Sequence, residues 1–147
     1  MAATTDTSAP SSRPPHARPA RVLYAEDLAD LREVMRLILQ CEGYQIETVN
    51  DGTEALRCLR ENLAGFDLLI TDHHMPEMNG LELVRQLRTT PYRGKIMVFS
   101  SELDPEVHRE YHRLGVQVIL PKPIRPAVLR KALEDLLPAG RPGRART

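Results

Sequence analysis

The feature that most constrains this chain is an alternation, repeated five times between residues 21 and 137, of short apolar runs with amphipathic stretches. The runs VLYA at 22–25, QIETV at 45–49, FDLLIT at 66–71, KIMVFS at 95–100 and VQVIL at 116–120 read as strands. Each is followed by helical spacing, which predicts βα units feeding a parallel sheet. The third and fourth runs are nearly all apolar, as central strands covered on both faces require. Leu31, Val34, Met35 and Ile38 in the first helix, and Leu129, Ala132, Leu133 and Leu136 in the last, follow the i, i+3, i+4, i+7 stripe. Weaker stripes place helices near 52–63, 80–89 and 104–114. Punctuation agrees with this register. Gly43, Gly65 and Gly115 fall where a left-handed residue should close a helix, Asp51 with Glu54 resembles a capping box, and Pro105 and Pro126 stand at first helical positions after Asp104 and Arg125.

Length and composition bound the rest. A chain of 147 residues has room for one domain with tails. Residues 1–20 hold four prolines among Ala, Ser and Thr, and 138–147 read PAGRPGRART; both are expected to be disordered, leaving residues 21–137 as the folded domain. Clustered prolines spoil the amphipathic helix that a transit peptide would need. Across the chain 20 basic residues balance 20 acidic ones, so no strong field favours nucleic acid or an anionic membrane. No apolar run approaches the roughly 20 residues of a membrane span, and no secretory apolar segment opens the chain, so a cytoplasmic protein without membrane association is expected. Cys41 and Cys58 lack metal-ligand or redox spacing and read as buried, reduced thiols.

In open parallel α/β sheets, ligands bind outside the carboxyl ends of the strands. The register puts Glu26 and Asp27 just after strand one, Asp72 just after strand three, Ser100 and Ser101 at the end of strand four, and Lys122 just after strand five. Taken singly, the acids read equally well as helix or turn residues and the lysine as a solvated one. Together they converge on one rim. Carboxylates forced together favour a hard oxygen-seeking cation such as Mg²⁺, and a lysine opposite makes the site suit a phosphoryl group. Asp72, being central, is the candidate nucleophile, since an aspartate can carry an aspartyl phosphate.

The stretch from Leu68 to Gly80, LLITDHHMPEMNG, resembles the phosphoacceptor segment of bacterial two-component response-regulator receiver domains, in which an aspartate is followed by x-x-M-P-x-M-[DN]-G. The resemblance extends over Glu26-Asp27, Ser100 and Lys122-Pro123 and covers residues 21–137. It implies a flavodoxin-like, doubly wound α/β fold with a five-stranded parallel sheet in order 2-1-3-4-5 and five helices. It further implies that Asp72 is the phosphoacceptor and a Mg²⁺ ligand, that Asp27 ligates the metal, that Glu26 holds it through water and that His74 offers its backbone carbonyl. Lys122 and Ser100 would contact the phosphoryl oxygens, His74 and Glu102 would tune hydrolysis, and the Lys122-Pro123 bond would be cis.

Two features depart from the family pattern. His73 and His74 form a pair that invites a transition metal, although adjacent side chains on an extended loop point apart. The position three before the lysine, usually an aromatic ring that swings with the switch residue, is Ile119, and Pro121 stiffens the segment beside it. Signalling is therefore expected through Ser100, Lys122 and the loop carrying Glu102 toward the helix near Asp104.

The implied function is that of a stand-alone receiver taking a phosphoryl group from a sensor histidine kinase or histidine phosphotransfer protein and signalling to a downstream protein by contact. It would not be an enzyme beyond its own phosphotransfer and autodephosphorylation. The ten residues after Leu137 leave no space for a DNA-binding helix-turn-helix. An aspartate-nucleophile phosphohydrolase acting on a small phosphorylated molecule is the alternative; it needs an acid/base aspartate two residues after the nucleophile, where this chain has His74. A flavin-binding module would leave the acidic cluster without a purpose.

Overall fold

The computed structural model describes residues 18–101 and 104–137. Residues 1–17 of the tail expected at 1–20, the tail expected at 138–147, and Glu102 lie outside the described residues. Five strands, β1 (Arg21–Ala25), β2 (Gln45–Val49), β3 (Leu68–Asp72), β4 (Lys95–Ser100) and β5 (Val118–Pro121), alternate with five helices, α1 (Ala29–Cys41), α2 (Gly52–Glu61), α3 (Gly80–Leu87), α4 (Pro105–Arg113) and α5 (Pro126–Leu136). All strand pairs are parallel, in the order β2-β1-β3-β4-β5.

Because successive side chains leave a strand on opposite faces, each inner strand feeds two cores. Leu23, Leu69, Ile96 and Val98 pack with Leu56, Leu59, Leu83, Leu87 and Tyr111 of α2, α3 and α4. On the other face Val22, Leu68, Ile70, Met97 and Phe99 pack with Met35, Leu39, Leu129 and Leu133 of α1 and α5. β3 is buried along its whole length and β4 everywhere except Lys95, in keeping with their apolar runs.

The elements begin and end for identifiable reasons. Gly43 and Gly115 take the left-handed conformation after α1 and α4, whereas Gly65, expected to do the same, does not. Asp51 accepts a hydrogen bond from the Glu54 N–H at 2.7 Å; Glu54 itself turns to Arg57, so only the first half of the capping box forms. Asn79 of the M-P-E-M-N-G segment caps α3 by accepting from the Glu82 N–H at 2.9 Å. Pro105 and Pro126 open α4 and α5, and Asp104 caps α4.

Other expectations are corrected. β3 runs through Asp72, so the acceptor candidate is the last residue of the strand and not the first after it. β5 starts at Val118; just before it, Gln117 takes the Ile96 N–H on its side-chain oxygen at 2.9 Å and donates its own N–H to the Ile96 carbonyl at 3.2 Å. In α1 Met35 and Leu39 are buried and Ile38 packs against the same core, while Leu31 and Val34 of the expected stripe are exposed, as is Leu37. Cys41 is exposed and Cys58 half-buried, both free. The fold also reaches back beyond residue 21: Ala20 is buried, its carbonyl accepts from Gln45, and Arg18 pairs with Asp67 at 2.9 Å.

Candidate functional site

At the carboxyl ends of β1 and β3, Glu26, Asp27 and Asp72 bring carboxylate oxygens within 4.8 Å of one another. Both positions follow from the register, since Ala25 pairs with Thr71 and so places the residues that follow side by side. Asp72 is only 3% exposed, and Lys122, arriving from the end of β5, puts its Nζ 2.5 Å from Asp72 Oδ1 and 3.9 Å from Glu26 Oε1. Ser100 closes β4 one strand away and is buried. The Lys122-Pro123 bond is cis. His74 is exposed at the mouth.

Three buried or half-buried acids facing one lysine leave an excess of negative charge, and an all-oxygen donor set of this kind fits a hard divalent cation. Glu26 is fully buried and is held from three directions. Tyr24 Oη donates to its Oε1 at 3.0 Å, the Leu28 N–H donates to its Oε2 at 3.2 Å, and Arg32 Nη1 donates to its carbonyl at 2.7 Å. Burial pushes the Glu26 carboxyl upward, with the Asp72 charge acting in the same direction against the opposing hydrogen bond from Leu28. The Tyr24 hydroxyl is raised far above its ordinary value, first by burial and then by the Glu26 charge, so it remains a donor.

The histidine pair behaves differently from expectation. The two rings do not diverge but meet edge to face, 4.8 Å between centroids. His73 continues the parity of Leu69 and Thr71 and so points to the α3–α4 side, where its Nδ1 shares a hydrogen bond of 2.6 Å with the Tyr111 hydroxyl. Neither histidine joins the acidic trio, which among the described residues is the group that converges as metal ligands do. Tyr24, Arg32 and Tyr111 were not singled out from the sequence. Tyr111 had a usable signal, because Val107, Tyr111 and Leu114 fall at i, i+4, i+7 in an otherwise polar helix.

Residues 22–134 match the family described as response regulator receiver domain. Sensor histidine kinase AruS of Pseudomonas aeruginosa is 36% identical over 119 residues, 78% of this chain and 12% of that protein. Response regulator MprA of Mycobacterium sp. strain KMS is 34% identical over 119 residues, 81% of this chain and 48% of that protein. The chain thus spans less than half the length of these curated relatives. Chemotaxis protein CheY4 of Vibrio cholerae superposes with a TM-score of 0.74 at 35% identity, covering 81% of this chain and 99% of that one. A response regulator receiver protein from Pseudomonas putida does so with a TM-score of 0.74 at 31% identity, covering 81% and 98%.

Proposed function

Because the chain belongs to the response regulator receiver family, we propose that Asp72 accepts a phosphoryl group from a phosphohistidine of a sensor histidine kinase or a histidine phosphotransfer protein, and that the product signals by contact with a downstream protein in the cytoplasm. The observation that carries this reading is a nearly buried aspartate at the end of the central strand, with a lysine ammonium 2.5 Å away and two further acids converging on it.

In the transfer, an Asp72 carboxylate oxygen forms a P–O bond as the P–N bond to the donor histidine breaks, and the electron pair returns to the imidazole. Lys122 already lies against Asp72 and exchanges its carboxylate partner for the phosphoryl oxygens as their charge builds. Asp27 and Asp72 would hold Mg²⁺ directly, with Glu26 through water and the His74 backbone carbonyl completing the protein's share. The bound cation supplies neutralisation of the phosphoryl oxygens. Ser100 offers its hydroxyl to the same oxygens. The chain turns over no separate substrate: the aspartyl phosphate is lost by attack of water at phosphorus.

The test is uptake of phosphate from acetyl phosphate in the presence of Mg²⁺, mapped by mass spectrometry. One phosphoryl group at Asp72 is expected, and none on Asp72→Asn. Unchanged labelling of that variant at another residue, or full uptake in EDTA, overturns the assignment.

A further inference from the structure

The backbone of His73, the residue after Asp72, is held at both its N–H and its carbonyl. The His73 N–H donates to the Phe99 carbonyl at 2.9 Å, and the His73 carbonyl accepts from the Gly80 N–H at 2.8 Å, so the residue after the acceptor is tied to β4 and to the first turn of α3. Its side chain is tied to a third element. His73 Nδ1 and the Tyr111 hydroxyl are 2.6 Å apart, with the two rings packed edge to face. The hydroxyl reaches that point because residue 80 is glycine: a Cβ there would lie 2.7 Å from Tyr111 Oη, 2.8 Å from the Asp72 carbonyl oxygen and 3.1 Å from His73 Cα. Tyr111 Oη, the Asp72 carbonyl and His73 therefore meet in a space that no side chain at position 80 could share.

Tyr111 is also the deepest contact of α4. Among the described residues of that helix it is the one fully buried side chain, 1% exposed, on a helix otherwise made of charged and half-buried residues. Val107 and Leu114 pack against the same core but are only partly buried, so Tyr111 is the deepest of few apolar contacts, and its shift removes a large share of what seats the helix. Ile119, on the neighbouring strand, has no polar atom with which to sense charge and packs only at the margin of the same core.

We propose that Tyr111 is a positioning residue that couples the state of Asp72 to the seating of α4 through its hydrogen bond with His73, in place of an aromatic ring at position 119. This rests on the reading of Asp72 as phosphoacceptor. A phosphoryl group on Asp72 adds volume and charge one residue from His73. Displacement of the Asp72–His73 peptide moves the ring away from the Tyr111 hydroxyl and weakens the bond, which depends steeply on distance and angle. The two seatings of α4, bonded and unbonded, then bind the phosphoryl group differently, which is the condition for a ligand to shift their populations.

The experiment uses beryllofluoride with Mg²⁺ as the phosphoryl mimic, with amide hydrogen exchange over α4 and the ¹⁵N shift of the His73 ring as readouts. In the wild-type chain beryllofluoride should speed α4 exchange about three- to tenfold, the range that loss of one buried hydrogen bond represents, and move the His73 Nδ1 resonance. Tyr111→Phe keeps the ring and removes only the hydroxyl. It should exchange faster at α4 before any addition and respond less than about twofold afterwards, with no beryllofluoride-dependent change at Nδ1, because the bond that transmits the signal is already gone. His73→Phe should reproduce this loss, and the double variant should add nothing to either single change. A beryllofluoride response at α4 in Tyr111→Phe equal to that of wild type overturns the proposal, as does a wild type that binds beryllofluoride without responding at α4. Should Tyr111→Phe not fold, His73→Phe carries the same decision. Failure of wild type to take up beryllofluoride at all overturns the phosphoacceptor reading instead, and this proposal with it.

Discussion

Asp27 is half-buried where Glu26 is fully buried and held by Tyr24, Leu28 and Arg32. On the proposed reading it is, of the two acids after β1, the one that would meet a hydrated cation directly, since Glu26 already accepts from Tyr24 and Leu28. Replacing Asp27 by Ala should therefore weaken Mg²⁺ binding and slow uptake from acetyl phosphate by more than tenfold, a barrier increase above about 1.4 kcal/mol. Calorimetric Mg²⁺ titration and the initial rate of labelling check this; an unchanged rate would assign the metal contact elsewhere. The residues of this rim were legible in the sequence because each is fixed by its distance from a strand end. The direction of the His73 side chain was not, since it depends on β3 extending through Asp72 and keeping its alternation for one residue more.

At the scale of elements, α1 shows how an apolar repeat can mislead. Leu31, Val34, Met35 and Ile38 have helical spacing, yet Leu39 is fully buried and Val34 is 51% exposed. The sheet face that α1 covers is limited, and α5 covers the rest with Leu129, Ala132 and Leu133. The surplus apolar residues of α1 thus remain outside. Leu39→Ala should cost about 2–5 kcal/mol by opening a cavity in a packed core, whereas Val34→Ala should change stability by no more than about 0.5 kcal/mol. Urea unfolding of the two variants side by side tests the assignment, and equal losses would mean that the stripe read from the sequence is the packed one after all. α4 presents the opposite case, a polar helix whose one fully buried residue among those described, Tyr111, shares its packing with half-buried Val107 and links the helix to the site.

At the scale of the whole molecule, the outermost described residues, Arg18 and Leu137, both make contacts with the packed elements. We expect residues 1–17 and 138–147 to be dispensable: a chain trimmed to 18–137 should melt at the same temperature and take up phosphate at the same rate as the full chain. Starting at residue 21 removes the exposed Arg18–Asp67 pair, a change worth no more than about 1 kcal/mol, together with the buried Ala20. That shorter chain should melt somewhat lower, as differential scanning calorimetry would show, and a loss of folding on trimming to 18–137 would refute the expectation. By itself the sequence determined the βα alternation, the parallel sheet and the rim on which Glu26, Asp27, Asp72, Ser100 and Lys122 meet, because strand periodicity and strand-end position are local properties of the chain. Only the tertiary structure decided which face of α1 is covered, that Gly80 leaves space for a tyrosine hydroxyl 31 residues away in the chain, and that His73 turns from the acidic site toward α4. Those outcomes depend on which element arrives opposite each side chain, and that is set by packing between segments distant in sequence.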